Sequence, residues 1–270
     1  MREISGDNPL TWKERIYFMI FNFLRGIYGY GTKMNLEFWH PKKIGTMEGD
    51  PARKYAIQFF LTELPRILSI KKIDIFDIGC GYGYIRKNFT ELGYSGNYTG
   101  IAINKNKEFD KYGTPAFVSS FIKSKIEDYK TNKKYDLIIS IFALEHIEKD
   151  KIAINKCNEL MKSNGIQIHI FPSFPCLFLE PIHGYRVYTP KLVKKIFNKK
   201  PFKVYRIGGF FSFLLYFFYI TIPVFLLATD KLRAKPQYFK LMKICIKLDK
   251  YLPFFSYSYI IVVKNTLKKG

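Results

Sequence analysis

The chain is poor in cysteine, in acid and in histidine. Of its 270 residues four are cysteine, at positions 80, 157, 176 and 245. They form no CxxC pair and fall at no metal-ligand spacing, which argues against zinc or iron–sulfur frameworks and against a disulfide scaffold. Reduced thiols of a cytoplasmic protein fit this usage. No signal peptide is expected. The first apolar run, Ile16 to Leu24, is short, has charges close on both sides and no small-residue cleavage site after it. Acids are the scarcest class for the chain's size: 22 Asp and Glu stand against 44 Lys and Arg, a net charge of +22. An anionic membrane surface or nucleic acid suits such a balance, and so does AT-rich coding, since Lys, Asn, Ile, Phe and Tyr are all abundant. No RNA-binding module accompanies the charge.

The excess is concentrated. From Arg186 to Gly270 there are eighteen basic residues and two acids, Asp230 and Asp249, a net +16. Inside this region Phe210 to Ala228 holds nineteen residues without a charge, eight of them Phe or Tyr. As a helix it would be about 28 Å long, close to the bilayer core, with a kink expected at Pro223. Lys199, Lys200, Lys203 and Arg206 precede it, and Lys231, Arg233 and Lys235 follow, a symmetry that sets no orientation by the positive-inside rule. Tyr238 to Leu252 then predicts a basic amphipathic helix. Leu241, Ile244, Cys245, Leu248 and Leu252 form one face, with Lys240, Lys243, Lys247 and Lys250 off it. A basic amphipathic helix beside an apolar hairpin is a membrane-surface pattern; a buried helical lid is the other reading.

The rest of the chain is organised around residues 73–84, Ile-Asp-Ile-Phe-Asp-Ile-Gly-Cys-Gly-Tyr-Gly-Tyr. A buried strand runs into a loop in which glycine takes every second place, and a helix follows from about Tyr84 to Leu92, ended by Gly93. This is how an open α/β sheet binds a nucleotide-like ligand. The spacing is not that of the dinucleotide fingerprint, because the third glycine comes one residue early. Asp77 at the strand's end would repel a phosphate and attract a cation, while Gly79, Gly81 and Gly83 let a ligand approach the backbone. A ligand with an adenosine body and a positive head, S-adenosylmethionine, suits the loop better than NAD.

Around this stretch the pattern alternates. A helix is expected from Thr11 to about Tyr28, with Trp12, Ile16, Met19, Ile20, Phe23 and Ile27 on one face; it either caps the core or lies on a membrane. Gly31 to Gly49 reads as loop. Asp50-Pro51 starts a helix running to about Leu64, bent or ended by Pro65. Strands are expected at Tyr98–Ile103, Tyr135–Ile141 and Ile166–Phe171, a short strand or helix edge at Phe117–Ser119, a helix at Asp150–Met161, and a turn at Ser163-Asn164-Gly165. Alternating strands and helices predict an α/β fold with a mostly parallel sheet.

Asp77-Ile-Gly-Cys-Gly-Tyr-Gly, Tyr135-Asp-Leu-Ile-Ile-Ser, Leu144-Glu145-His146-Ile147 and Leu160-Met-Lys-Ser-Asn-Gly165-Ile follow one another in this order. Together they resemble class I S-adenosylmethionine-dependent methyltransferases, and most nearly the small-molecule, ubiquinone-pathway-like group. The resemblance implies a Rossmann-like, seven-stranded sheet with an antiparallel last strand. Phe202–Ile207 would be strand six and Tyr257–Lys264 strand seven, with N-terminal helices and an apolar helical insertion between those two strands. The expected divisions are an N-terminal helix and loop over 1–49, a core over 50–207, the insertion over 208–253, and a final strand and tail over 254–270. Because strand seven must return to strand six, the sheet disfavours a membrane crossing by 210–228.

The resemblance also implies a cofactor site of Asp77, Gly79, Cys80, Gly81, Gly83, Asn104, Ile126 and Glu127. It departs from the family at two points. The acid that receives the ribose hydroxyls maps to Ala102, which leaves Asn104 as the nearby acceptor, and the acid of the adenine loop maps to Lys125. Glu145 and His146 lie near the acceptor in the resembling enzymes, so His146 is a candidate general base. No metal is expected, since Phe142 stands where a second metal glutamate would map. His183 and Tyr185, with Glu180, are candidate substrate-pocket residues. The implied activity is methylation of a lipid-like or membrane-borne small acceptor, on oxygen, by a cytoplasmic protein held at the membrane surface. An RNA methyltransferase and a non-catalytic membrane adaptor are the alternatives.

Overall fold

A computed structural model describes residues 10–42, 44, 49–229 and 231–265. In chain order its elements are α1 (Trp12–Gly29), β1 (Leu36–Phe38), α2 (Pro51–Ile67), β2 (Lys72–Ile78), α3 (Ile85–Glu91), β3 (Ser95–Ala102), β4 (Phe117–Lys123) and β5 (Tyr135–Ile141). There follow α4 (Asp150–Leu160), β6 (Met161–Pro172), α5 (Pro190–Ile196), β7 (Phe202–Ile207), α6 (Phe210–Tyr216), α7 (Ile222–Leu227), α8 (Pro236–Leu248) and β8 (Ser258–Lys264). The strands are hydrogen-bonded in the order β1-β7-β8-β6-β5-β2-β3-β4. The sheet is mostly parallel, with β7 and β8 antiparallel. The seven expected strands are β2 to β8.

Four expectations need correction. The segment read as loop from Gly31 holds an eighth strand, β1, parallel to β7 with Leu36 opposite Val204; three residues are too few for a period to show. β4 is a full seven-residue strand rather than a three-residue edge, and its polar Ser119 and Ser120 hid it. Pro65 lies inside α2, which continues to Ile67. The expected turn at 163–165 lies within β6 as a break in register, because Tyr135 pairs with Met161 while Leu137 pairs with Ile166.

The chain divides into two compact units. One holds residues 60–171, 191–203 and 261–270. Its centre is β6-β5-β2-β3-β4, all parallel. The aliphatic runs Ile75 to Ile78 and Leu137 to Ile139 are buried there, as strands covered on both faces require. Phe60 and Phe89 meet edge-to-face at 5.5 Å, joining the C-terminal half of α2 to α3.

The other unit holds residues 1–59, 172–190 and 204–260. Asp50 caps α2, accepting from the Arg53 amide at 2.8 Å, as its position before Pro51 predicts. α1 begins with a capping box. Thr11 Oγ1 accepts from Glu14 N at 3.3 Å, and Glu14 Oε2 accepts from Thr11 N at 2.7 Å. Thr11→Ala is expected to cost this helix end about 1 kcal/mol, read as roughly fivefold faster amide exchange over residues 13–15 with no change at α8. Of the expected apolar face, Trp12, Ile20, Phe23 and Ile27 are exposed and Ile16 and Met19 half-buried, and the buried residues are Asn22, Gly26 and Gly29.

The apolar insertion runs through α6, a π-helical turn over Phe217–Thr221 and α7. Pro223 does not end it. Proline brings no N–H to the ladder, and the wider turn just before it, where Ile222 N reaches Phe217 O, absorbs the mismatch. α8 buries Tyr238, Met242 and Ile246. The expected face is therefore displaced: Ile244 is exposed and Leu241, Cys245 and Leu248 are half-buried. The insertion leaves and returns at one point. Phe210 N donates to Leu252 O at 3.0 Å. Fully buried Asp249 accepts from Ser212 N at 3.0 Å and from the Tyr55 hydroxyl at 2.8 Å, while Tyr257 Oη lies 3.0 Å from Ser212 Oγ.

Candidate functional site

β2 lies between β3 on one side and β5 on the other, so strand order reverses there. Ligands of open parallel sheets bind outside the carboxyl ends of the strands at such a point. The glycine loop leaves β2 at this place. Gly79, Gly81 and Gly83 have φ of +65°, +53° and +68°, a region that side chains disfavour. Their surroundings differ. A Cβ on Gly79 would lie 2.4 Å from Ala143 Cβ, and one on Gly83 2.7 Å from the Arg86 guanidinium. A Cβ on Gly81 would meet nothing within 4 Å. The outer two glycines make room for the protein itself. The middle one presents bare backbone to open space, a cradle that fits the adenosyl cofactor.

Beneath the loop lies a buried polar assembly that sequence reasoning missed. Arg86, from the first turn of α3, is fully buried. Its Nε donates to Gly83 O and its Nη2 to Tyr82 O, each at 3.0 Å, and Nη2 also donates to Phe109 O. The guanidinium lies 4.3 Å from the Phe109 ring centroid and 4.9 Å from that of Tyr98. It thus ties the glycine loop to the segment after β3. Tyr98, on β3, donates its hydroxyl to Asp77 Oδ2. Asp77 is therefore not the free counter-charge that its position suggests. Burial pushes its carboxyl up to about 7, against the opposing pull of Tyr98 and Arg86. The available signal was the register of α3, which places Arg86 beside buried Ile85 on the same inward side as Phe89.

The other expected residues of this unit sit at neighbouring strand ends. Cys80 is buried against Gly100, whose Cβ would fall 2.6 Å from its Sγ. Ala102, at the position that the resemblance assigns to the ribose acid, is the last residue of β3 and has no side-chain acceptor, and Asn104 is exposed two residues on. Ile126 is buried and Glu127 half-buried in the short turn after β4, with Lys125 exposed before them. After β5, Phe142 holds φ of +51°, a strained conformation of the kind found at functional turns. Glu145 and His146 follow on a single 3-10 turn, Glu145 buried and His146 half-buried, their ligand atoms within 4.8 Å. His169 on β6 belongs to the interior. It lies 2.8 Å from Ser140 Oγ and 3.0 Å from Gln167 Oε1, and burial lowers it to about 3, so it stays neutral.

His183 and Tyr185 belong to the other unit. His183 Nδ1 is 3.8 Å from Glu180 Oε2, and Glu180 Oε1 accepts from the Tyr216 hydroxyl. Tyr185 is buried. Its ring meets Phe18 edge-on at 5.1 Å and its carbonyl accepts from Asn22 Nδ2 at 3.2 Å. These contacts seat α1 on the 172–190 segment.

A mostly parallel sheet, a glycine loop at its switch point and an antiparallel β8 define the class I methyltransferase fold. The family comparison agrees: residues 76–168 match the methyltransferase-domain family. The chain carries a class I S-adenosylmethionine-dependent methyltransferase domain. It is 35% identical over 102 residues to a ubiquinone biosynthesis O-methyltransferase of Rickettsia canadensis, covering 37% of this chain and 42% of that protein. It is 24% identical over 149 residues to the one of Rhodopseudomonas palustris, covering 51% and 57%. The chain thus spans about half the length of the curated relatives it matches or less. Among solved structures, coclaurine N-methyltransferase bound to N-methylheliamine and SAH superposes with a TM-score of 0.53 at 13% identity, over 97% of this chain and 90% of that one. The cyclopropane synthase MmaA2 from Mycobacterium tuberculosis gives 0.53 at 17%, over 86% and 88%. At these identities the structural likeness establishes the fold.

Proposed function

We propose that this protein methylates a hydroxyl oxygen of a small, lipid-like acceptor at the membrane surface. The observation that carries the reading is the glycine loop at the switch point, with Gly81 open to a ligand. Bound S-adenosylmethionine supplies a methyl group on a sulfonium. Held at this loop, it would give up that methyl to the acceptor oxygen as the carbon–sulfur bond broke, the electron pair staying on sulfur in S-adenosylhomocysteine. Catalysis is mainly in-line positioning. His146, on the turn after β5, takes the hydroxyl proton, with Glu145 buried beside it on the same turn.

Oxygen as the methylated atom is supported by the O-methyltransferase relatives. The lipid-like acceptor is supported by the insertion. Phe210–Leu227 is long and apolar enough to cross a membrane, yet only a third of it is buried, and Phe225, Leu226 and Leu227 at its tip are exposed. The clasp at Asp249 returns the chain to its starting point and supports a dip into the interface over a crossing. Ala102 favours a second reading, a fold that has lost its cofactor and serves as a membrane adaptor.

One assay separates these readings. Purified chain is incubated with methyl-labelled S-adenosylmethionine and three acceptor pools: chloroform-extracted membrane lipid, aqueous metabolites and total RNA. Label is expected in the chloroform-soluble pool as an acid-stable methyl ether. Label in RNA would replace the proposal with the RNA reading. No binding of S-adenosylmethionine to the folded chain by calorimetry would replace it with the adaptor reading.

A further inference from the structure

α1 is packed inside out. Asn22 donates to Tyr185 O at 3.2 Å and accepts from Val187 N at 3.3 Å. A Cβ on Gly26 would fall 1.7 Å from the Phe174 ring, and one on Gly29 2.5 Å from Thr189 Oγ1. The helix therefore lies on the 172–190 segment through its smallest and most polar positions. Apart from Phe18, which packs on Tyr185, its most exposed side chains are large and apolar: Trp12 is 53% exposed, Ile20 53%, Ile27 61% and Tyr28 80%. At about 100° per residue Ile20 and Ile27 fall opposite Asn22, Gly26 and Gly29, with Trp12 and Tyr28 at the two edges of the arc. A surface helix ordinarily buries its apolar stripe. This one, about 27 Å long, leaves the stripe uncovered, and its polar side is taken up by its own protein.

Charge selects the occupant of that stripe. In the same unit, residues 231–250 contribute seven Lys and Arg and one acid, Asp249, which is fully buried. Lys13 stands within the apolar arc itself. α1 itself carries Lys13, Arg15 and Arg25 against Glu14 alone, and a net basic charge repels a second copy and attracts an anionic surface. Trp and Tyr at the edges of an apolar stripe suit the headgroup level of a bilayer. We propose that α1 is an in-plane anchor that docks this protein on an anionic phospholipid surface, with Trp12, Ile20 and Ile27 in the headgroup–acyl boundary. The inference rests on the membrane part of the proposed function and names the element that makes the contact.

The test uses the full chain and sedimentation with vesicles of phosphatidylglycerol and phosphatidylcholine, against vesicles of phosphatidylcholine alone. The wild type is expected to pellet with the anionic vesicles, less so as salt rises. Ile20→Ser/Ile27→Ser, at two exposed positions, is expected to lower partitioning at least tenfold with an unchanged melting temperature. Trp12 emission should shift to the blue on the anionic vesicles, a shift missing in Trp12→Phe. Unchanged partitioning of the double variant, beside a loss in Leu226→Ser/Leu227→Ser, would overturn the assignment to α1 and leave membrane docking to the insertion. A concentration-dependent dimer dissolved by the double variant, without vesicle binding, would assign the stripe to a second copy. A wild type that ignores vesicles yet methylates detergent-dispersed lipid would overturn this inference and leave the proposed reaction standing.

Discussion

Gly81→Val is expected to abolish S-adenosylmethionine binding while leaving the chain folded. Calorimetry should show affinity lower by roughly 100-fold or more, about 2.7 kcal/mol, with a loss of only 1–3 kcal/mol, roughly, in unfolding free energy from a side chain forced to positive φ. The reasoning is local. Valine at 81 meets no protein atom within 4 Å of its Cβ, so the native packing is not disturbed. What it fills is the open space over bare backbone at +53°, the place a ligand must use to approach the loop. Gly79→Val makes the contrast, because its Cβ would collide with Ala143 Cβ at 2.4 Å and should damage binding and folding together. Wild-type affinity in Gly81→Val would place the cofactor elsewhere than the switch point.

The second large effect is expected from Asp77→Asn, which should make the protein more stable at pH 8, an advantage that disappears as the pH falls to about 4. Asp77 is raised to about 7 by burial. The folded chain holds its proton more tightly than the unfolded chain does. Its contribution is therefore complete below about pH 4 and lost as pH rises to about 7, to the extent of roughly 4 kcal/mol. His169 acts in the opposite direction. Burial lowers it to about 3, so its contribution is present above about pH 6.5 and lost as pH falls toward 3, again by roughly 4–5 kcal/mol. In the wild type these two changes oppose each other across nearly the same interval. Asparagine still accepts from the Tyr98 hydroxyl through Oδ1 but carries no charge to bury. Urea unfolding at a series of pH values should show the variant more stable at pH 8 and converging on the wild type as the pH falls to about 4. Equal stability of variant and wild type at pH 8 would disprove the burial penalty. A carboxylate kept at such a cost points to function, and the same variant is expected to bind S-adenosylmethionine at least tenfold more weakly.

The strands around the switch point were legible because their signals are local. Ile75 to Ile78 and Leu137 to Ile139 are continuous apolar runs, and the alternating glycines admit one backbone. Asp77 was legible as a position but not as an environment. Its partner Tyr98 lies on the next strand, brought beside it only by the β2–β3 register that sets Asp77 opposite Gly100. Arg86 was hidden for a related reason: an arginine in a short helix reads as solvent-facing, and only the tertiary fold supplies the carbonyls of Tyr82, Gly83 and Phe109 that satisfy it. α1 shows the limit of periodicity. The 3.6-residue pattern found the helix and its apolar stripe, but a stripe does not say which way it faces. Two glycines and an asparagine on the opposite side were the marks of close packing there.

The clasp at Asp249 makes the insertion an exchangeable cassette. Because the chain departs at Phe210 and rejoins at Leu252 through a direct hydrogen bond, 3.0 Å long, the strands on either side do not register what lies between. Closing a flexible loop becomes harder only slowly with length, by about 0.6 kcal/mol for each doubling. The segment can therefore be lengthened, shortened or replaced over evolution while Ser212, Asp249, Tyr55 and Tyr257 keep its two ends together. A single catalytic sheet can in this way be refitted to different hydrophobic surroundings without refolding its nucleotide crevice.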